Sequence, residues 1–146
     1  MKVIVCLDDK NGMLFYGRRQ SRDRVLLEDM MNEAHGARIW MNAYSAGLFE
    51  KTGYAGIAVD EDFLEKADAE EYCFAEDQGI KAYQDRIEEI LVYRWNRTYP
   101  ADLFLDVELS GWDLTETVEF AGSSHEKITR ERYRQDHVRS GTTANN

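Results

Sequence analysis

The sequence predicts an α/β domain built on a mostly parallel sheet with an antiparallel edge. Three observations carry this. Short runs rich in β-branched residues alternate with short amphipathic stretches as far as residue 95. Beyond that point strand-like runs follow one another. The 146 residues, 43% hydrophobic with eight Tyr, six Phe and three Trp, suffice for one packed core.

Each element has a local reason. Residues 3–7 (VIVCL) form a continuous apolar run, read as a buried strand, and residues 8–12 (DDKNG) a turn in which Gly12 is free to take positive φ. Residues 13–20 (MLFYGRRQ) read as a loop. Ser21 is placed to cap a helix with Asp23 in its first turn. Val25, Leu26, Met30 and Met31 share one face of that helix, and Gly36 ends it. Residues 38–41 are a second strand and 45–50 a short helix. Residues 56–59 are a third strand, closed by Asp60, Glu61 and Asp62, and 71–75 a fourth. Residues 80–89 read as a helix with Ile80, Tyr83 and Ile87 inward, and 90–95 as a fifth strand. Residues 103–107 and 114–120 read as antiparallel strands around Ser110 and Gly111, giving about seven strands. Residues 125–133 alternate too weakly to decide between strand and helix. One domain is expected over residues 1–136, with a polar tail over 137–146.

Charge and cysteine use narrow the function. A net charge of −10 argues against nucleic acid as a partner, because phosphate would meet a repulsive field. Cys6 and Cys73 lie in apolar runs and read as small buried hydrophobes of a reducing compartment. Met1 and Lys2 lead into only five apolar residues, and no run is long enough to span a membrane. A cytoplasmic protein without signal peptide or membrane partner is expected.

Two segments, residues 2–13 (KVIVCLDDKNGM) and 38–50 (RIWMNAYSAGLFE), resemble the opening of the dihydrofolate reductase fold. Residues 91–106 (LVYRWNRTYPADLFLD), Trp112, and Glu119 with Phe120 resemble that family's later strands, in the family's order. The resemblance implies a three-layer α/β domain, a shortened reductase, with folate and NADPH clefts framed by the two opening segments. It also implies that Asp23 lies within one residue of the carboxylate that holds the pterin ring. The Pro-Trp pair usual in the preceding loop is replaced by Gly17, Arg18 and Arg19.

Other departures bear on the cofactor. The family's strand–turn–helix unit, whose Gly-Gly turn seats the pyrophosphate, has no evident counterpart because residues 87–95 run straight into the late strand; a deletion is expected there. The family's basic residue after the second strand falls near Ala43, and the small polar residues after the third are replaced by Asp60, Glu61 and Asp62. Ser45 alone keeps an anion-capping group. No cofactor is therefore expected. Runs such as WMNAYS and AGSSHEKIT also resemble short bacterial proteins, some of which carry the name ribonuclease Z. The residues do not support that chemistry: His35, His125 and His137 are the only histidines, and none has a dimetal spacing.

The remaining constellations are weighed on chemistry. Arg18, Arg19, Arg22 and Arg24 form the one dense basic run, able to clamp an anion or to pair with nearby acids. Asn42, Tyr44 and Ser45 stand where a strand ends and a helix begins, the edge at which open α/β sheets bind ligands. Trp95, Asn96 and Arg97 offer at most a weak stacking surface. Ser123, Ser124, His125 and Glu126 read as a polar turn, since no Gly-x-Ser-x-Gly elbow exists.

The leading expectation is a protein that binds a small molecule or a partner and has lost reductase chemistry. Arg18, Arg19, Asp23, Asn42, Tyr44 and Ser45 are its candidate ligand-binding residues, with no catalytic or metal-binding residue. Two alternatives stand beside it. One is a degenerate reductase dependent on NADPH or another nucleotide; the other is a structural protein that forms a homodimer through an exposed strand edge.

Overall fold

The computed structural model describes residues 1–135. The tail expected over 137–146, with His137, lies outside the described residues. The first half of the chain forms β1 (Lys2–Leu7), β2 (Gly12–Phe15), β3 (Arg18–Arg19), α1 (Arg24–Ala34), β4 (Ile39–Met41), α2 (Ala43–Ala46), β5 (Ile57–Val59), α3 (Phe63–Lys66) and β6 (Tyr72–Phe74). The second half forms β7 (Glu89–Arg94), β8 (Leu103–Phe104), β9 (Trp112–Phe120) and β10 (Ile128–Gln135). Short 3₁₀ turns cover Gly47–Phe49, Lys81–Arg86 and Leu109–Gly111.

A seven-stranded sheet runs in the order β5-β4-β6-β1-β7-β10-β9. β5, β4, β6, β1 and β7 are parallel, and β10 is antiparallel to both β7 and β9. The predicted class, a mostly parallel sheet with an antiparallel edge, is what forms. Central strands of a parallel sheet are covered on both faces, which is why β1 reads as an unbroken apolar run. Val3, Val5 and Leu7 face one core with Ile90, Val92 and Phe63, while Ile4 faces the other with Leu26, Met30, Leu91 and Tyr93. That second core seats α1. The helix is also clasped through Asp29, whose carboxylate accepts from Arg130 Nη1 at 2.7 Å and from the Tyr93 hydroxyl at 2.6 Å.

The structure corrects several element boundaries. The segment read as a loop over 13–20 is a hairpin, with Leu14 paired to Arg19 and Phe15 to Arg18. Its two-residue tip, Tyr16 and Gly17, takes φ of 50° and 72°. That is a hairpin-type turn built without the usual Asn-Gly signal. Asp23, not Ser21, caps α1, accepting from Val25 N at 2.9 Å and Leu26 N at 3.1 Å. The helix closes on His35 in the left-handed region, with Gly36 after it. Asn42 caps a shorter helix than expected over 45–50. The helix expected over 80–89 is a 3₁₀ turn with Ile80 and Ile87 buried.

Two pairings also differ. Leu103 pairs with Leu14 in a separate three-stranded sheet, β3-β2-β8, and not with the strand after it. β9 instead pairs with β10, which settles residues 128–135 as strand. The stretch before β7 does not run straight from an earlier strand, as a deletion would require: β6 lies beside β1, turns through Glu76, Asp77, Gln78 and Gly79, and enters the 3₁₀ turn before β7. That turn holds one glycine, not a pair, and no α-helix follows it. Among the described residues no helix is long and apolar enough to cross a membrane.

Candidate functional site

The C-terminal ends of β1, β4, β6 and β7 converge on one edge of the sheet, where Asn42, Glu76 and Trp95 follow their strands. The N-terminus of α1 meets the same edge. Two polar clusters occupy it, and both are closed upon themselves.

Glu76 centres the first. Buried at 8% exposure, its carboxylate accepts from Arg19 Nε at 2.9 Å, Arg19 Nη2 at 3.1 Å and Ser45 Oγ at 2.8 Å. The Arg19 guanidinium also lies over the Tyr44 ring, 4.2 Å from its centroid, and the Arg19 amide donates to the Tyr44 hydroxyl at 2.9 Å. Asn42 Oδ1 accepts from Ser45 N at 3.0 Å, and its amide donates to the Asp77 carboxylate at 2.9 Å. Ala43 N donates to Glu61 Oε2 at 3.0 Å. The Ala43 and Ser45 amides at the start of α2 are thus met by the chain's own oxygens. A phosphate approaching there would meet Glu61, Glu76 and Asp77.

Asp23 centres the second cluster. Besides capping α1, it accepts from Ser123 N at 3.0 Å, Ser124 N at 2.7 Å and Ser124 Oγ at 3.0 Å. Burial alone would raise its pKa. The backbone bonds from Ser123, Ser124 and Leu26, with the Ser124 hydroxyl, outweigh that and hold the carboxyl well below the usual range. His125 extends the cluster, with Nδ1 2.9 Å from Ser124 Oγ and Nε2 2.8 Å from the Tyr99 hydroxyl. Its ring stacks on Trp95, centroids 4.7 Å apart. The turn is tightly seated: a Cβ on Gly122 would stand 2.4 Å from Asp23 Oδ2. Ser123, Ser124 and His125 do form the polar turn expected of them, but one folded onto Asp23.

Between the clusters lies an inner slot bounded by Cys6, Asp23, Leu26, Phe74, Glu76 and Trp95. Its free volume is about 10 Å³, room for one water at most. Burial and the Glu76 charge push the Cys6 thiol up, which disfavours its thiolate. Cys73 is likewise pushed up by burial, to about 12. Of the open grooves outside the slot, two border the N-terminus of α1. One of about 550 Å³ runs along α1 over Leu27, Met31 and Leu48, rimmed by Arg22, Lys51 and the paired Arg24 and Glu28. The other, about 500 Å³, lies between Arg18, Ser21, Arg22 and Tyr44.

Of the six residues singled out in the sequence, Arg19, Asn42, Tyr44 and Ser45 meet around Glu76 and Asp77. Asp23 belongs to the other cluster, and Arg18 stands exposed at the outer groove. Glu76, Asp77 and Tyr99 escaped sequence reasoning. The signal for the first two was available: acids directly after a strand, at the ligand-binding edge of a parallel sheet. Among the described residues no group of three or more His, Cys, Asp or Glu side chains is arranged to hold a metal ion.

No protein-family model and no curated protein matches the sequence. The fold does find similar solved structures. Dihydrofolate reductase from Enterococcus faecalis, complexed with NADP(H) and RAB-propyl, superposes with a TM-score of 0.62. The match covers 92% of this chain and 95% of that one, at 11% sequence identity. The chain therefore has a dihydrofolate reductase-like α/β fold.

Proposed function

We propose that the protein binds a small molecule in the groove along α1 and carries no reductase chemistry. The observation that supports this best is the self-closure of the inner slot. Asp23, the carboxylate that the fold resemblance would assign to a pterin ring, is fully engaged by α1 and the Ser123–Ser124 turn. The slot beside it has no space for a bicyclic ring. The cofactor side agrees, since carboxylates occupy the start of α2 and the turn after β6.

The groove along α1 has the size of a ligand pocket. Its half-buried floor of Leu27, Met31 and Leu48 suits an apolar body, and Arg22 and Lys51 on its rim suit an anionic group. Anilinonaphthalene sulfonate has both features and serves as the probe. Its fluorescence is expected to rise on binding the native protein and to fall back in Leu27→Glu, which places a charge on the floor. A thermal-shift series with NADPH and dihydrofolate is expected to show no stabilisation at either nucleotide-binding edge or slot. A true ligand at a hundredfold its Kd would add about 2.7 kcal/mol, a shift of roughly 5–10 °C at this chain length. Such a shift with dihydrofolate would overturn the reading.

A further inference from the structure

Two guanidiniums break the charge pattern of this protein. The chain carries 28 acidic against 18 basic residues, and with carboxylates in excess its arginines find partners. Arg19, Arg24, Arg38, Arg94, Arg130, Arg132 and Arg134 each pair with an acid. Arg86 donates to the carbonyls of Leu64 and Ala67, and Arg97 lies over the Tyr99 ring. Among the described residues, the side chains of Arg18 and Arg22 alone of the arginines make no ion pair, hydrogen bond or ring contact.

Both line the same open groove of about 500 Å³, with Ser21 and Tyr44. Their backbones are fixed although their side chains are free. Arg18 is held in register opposite Phe15, and the Arg22 carbonyl lies 2.7 Å from Ser124 Oγ. Tyr44 is a rigid wall, pinned by Arg19 through its ring and its hydroxyl. Arg19 itself is neutralised by Glu76.

We infer that this groove binds a small phosphomonoester, with Arg18 and Arg22 on the phosphate and Tyr44 against the organic part. Two uncompensated planar forks match a dianion better than a single carboxylate, because each can give two parallel hydrogen bonds. The volume suits a small molecule. A polyanion such as nucleic acid would meet the −10 net charge beyond the groove. The site shares only Arg22 with the groove along α1 and stands whether or not that groove is used.

The test is an amide chemical-shift titration of the full chain with inorganic phosphate and with phenyl phosphate. Shifts are expected around Arg18, Ser21, Arg22 and Tyr44, with phenyl phosphate the tighter ligand. Arg18→Ala and Arg22→Ala are each expected to weaken binding about tenfold, the loss of one charge-assisted contact. Both side chains are exposed, so the variants should melt with the native protein, and Arg97→Ala should bind normally. Absence of saturable shifts, or shifts that persist unchanged in both variants, would overturn the inference. A phosphoserine peptide that binds far more tightly than phenyl phosphate would overturn its small-molecule part. Because the readout is local, a failure here is distinct from dihydrofolate binding at the inner slot, which would shift Leu26 and Trp95 instead.

Discussion

Replacing Asp23 by alanine is expected to destabilise the protein by about 3 kcal/mol and to free the Ser123–Ser124 turn. The carboxylate is 3% exposed and is the common acceptor for four backbone amides and one hydroxyl. Losing the helix cap costs about 1 kcal/mol, and the part-buried amides of Ser123 and Ser124, left without their acceptor, add up to about 1 kcal/mol each. Urea unfolding measures the loss, and hydrogen exchange at Ser123 and Ser124 reports the released turn. The same group sets an acid dependence. Its native pKa lies below the unfolded value of about 3.9. The unfolded chain therefore takes up the proton first. Stability from Asp23 is complete above about pH 4 and is lost as pH falls toward the native value. Asp23→Asn is expected to remove this part of the acid limb. An unchanged urea midpoint in Asp23→Ala would show that the cluster contributes nothing.

Arg132→Ala is expected to be comparably costly, about 3 kcal/mol, since it strips the buried Glu89 of its main partner in a partly buried ionic group. Arg132 donates to Glu89 Oε2 at 2.9 Å, to Glu116 Oε1 at 3.0 Å and to Glu33. Burial would lower its pKa, but the Glu33 bond and the Glu89 charge outweigh it and raise the value. Glu89 is 4% exposed, and without Arg132 only Arg134 remains beside it, at 3.5 Å. The penalty comes mainly from the stranded carboxylate, so adding Glu89→Gln is expected to recover part of it. Thermal unfolding of the two single variants and the double variant measures that coupling. Strictly additive losses would contradict it.

These two residues also show how far the sequence could be read. β1 was legible because it is buried on both faces and, after Lys2, has no charged residue to blur the pattern. β10 was not, because Arg130 and Arg132 turn inward to Asp29 and Glu89 and so erase the apolar alternation. The β2–β3 hairpin hid behind Tyr16, an aromatic residue at a tip where Asn is usual. The partner of β8 depended on a contact with β2, nearly ninety residues earlier, which no local pattern encodes. At the site, the strand-to-helix break exposed Asn42, Tyr44 and Ser45. Glu76 stayed hidden because its partner Arg19 lies 57 residues away. The Ser123–Ser124 turn looked like a connection, since nothing local shows that it folds onto a carboxylate 100 residues earlier.

The most direct test of the central claim is the loss of NADPH absorbance when dihydrofolate is added to the purified native protein. With Asp23 sealed by the turn and carboxylates at the start of α2, NADPH is expected to be lost no faster than without protein. Turnover that depends on protein concentration and disappears in Asp23→Asn would contradict the account, because it would require the slot to open to the substrate.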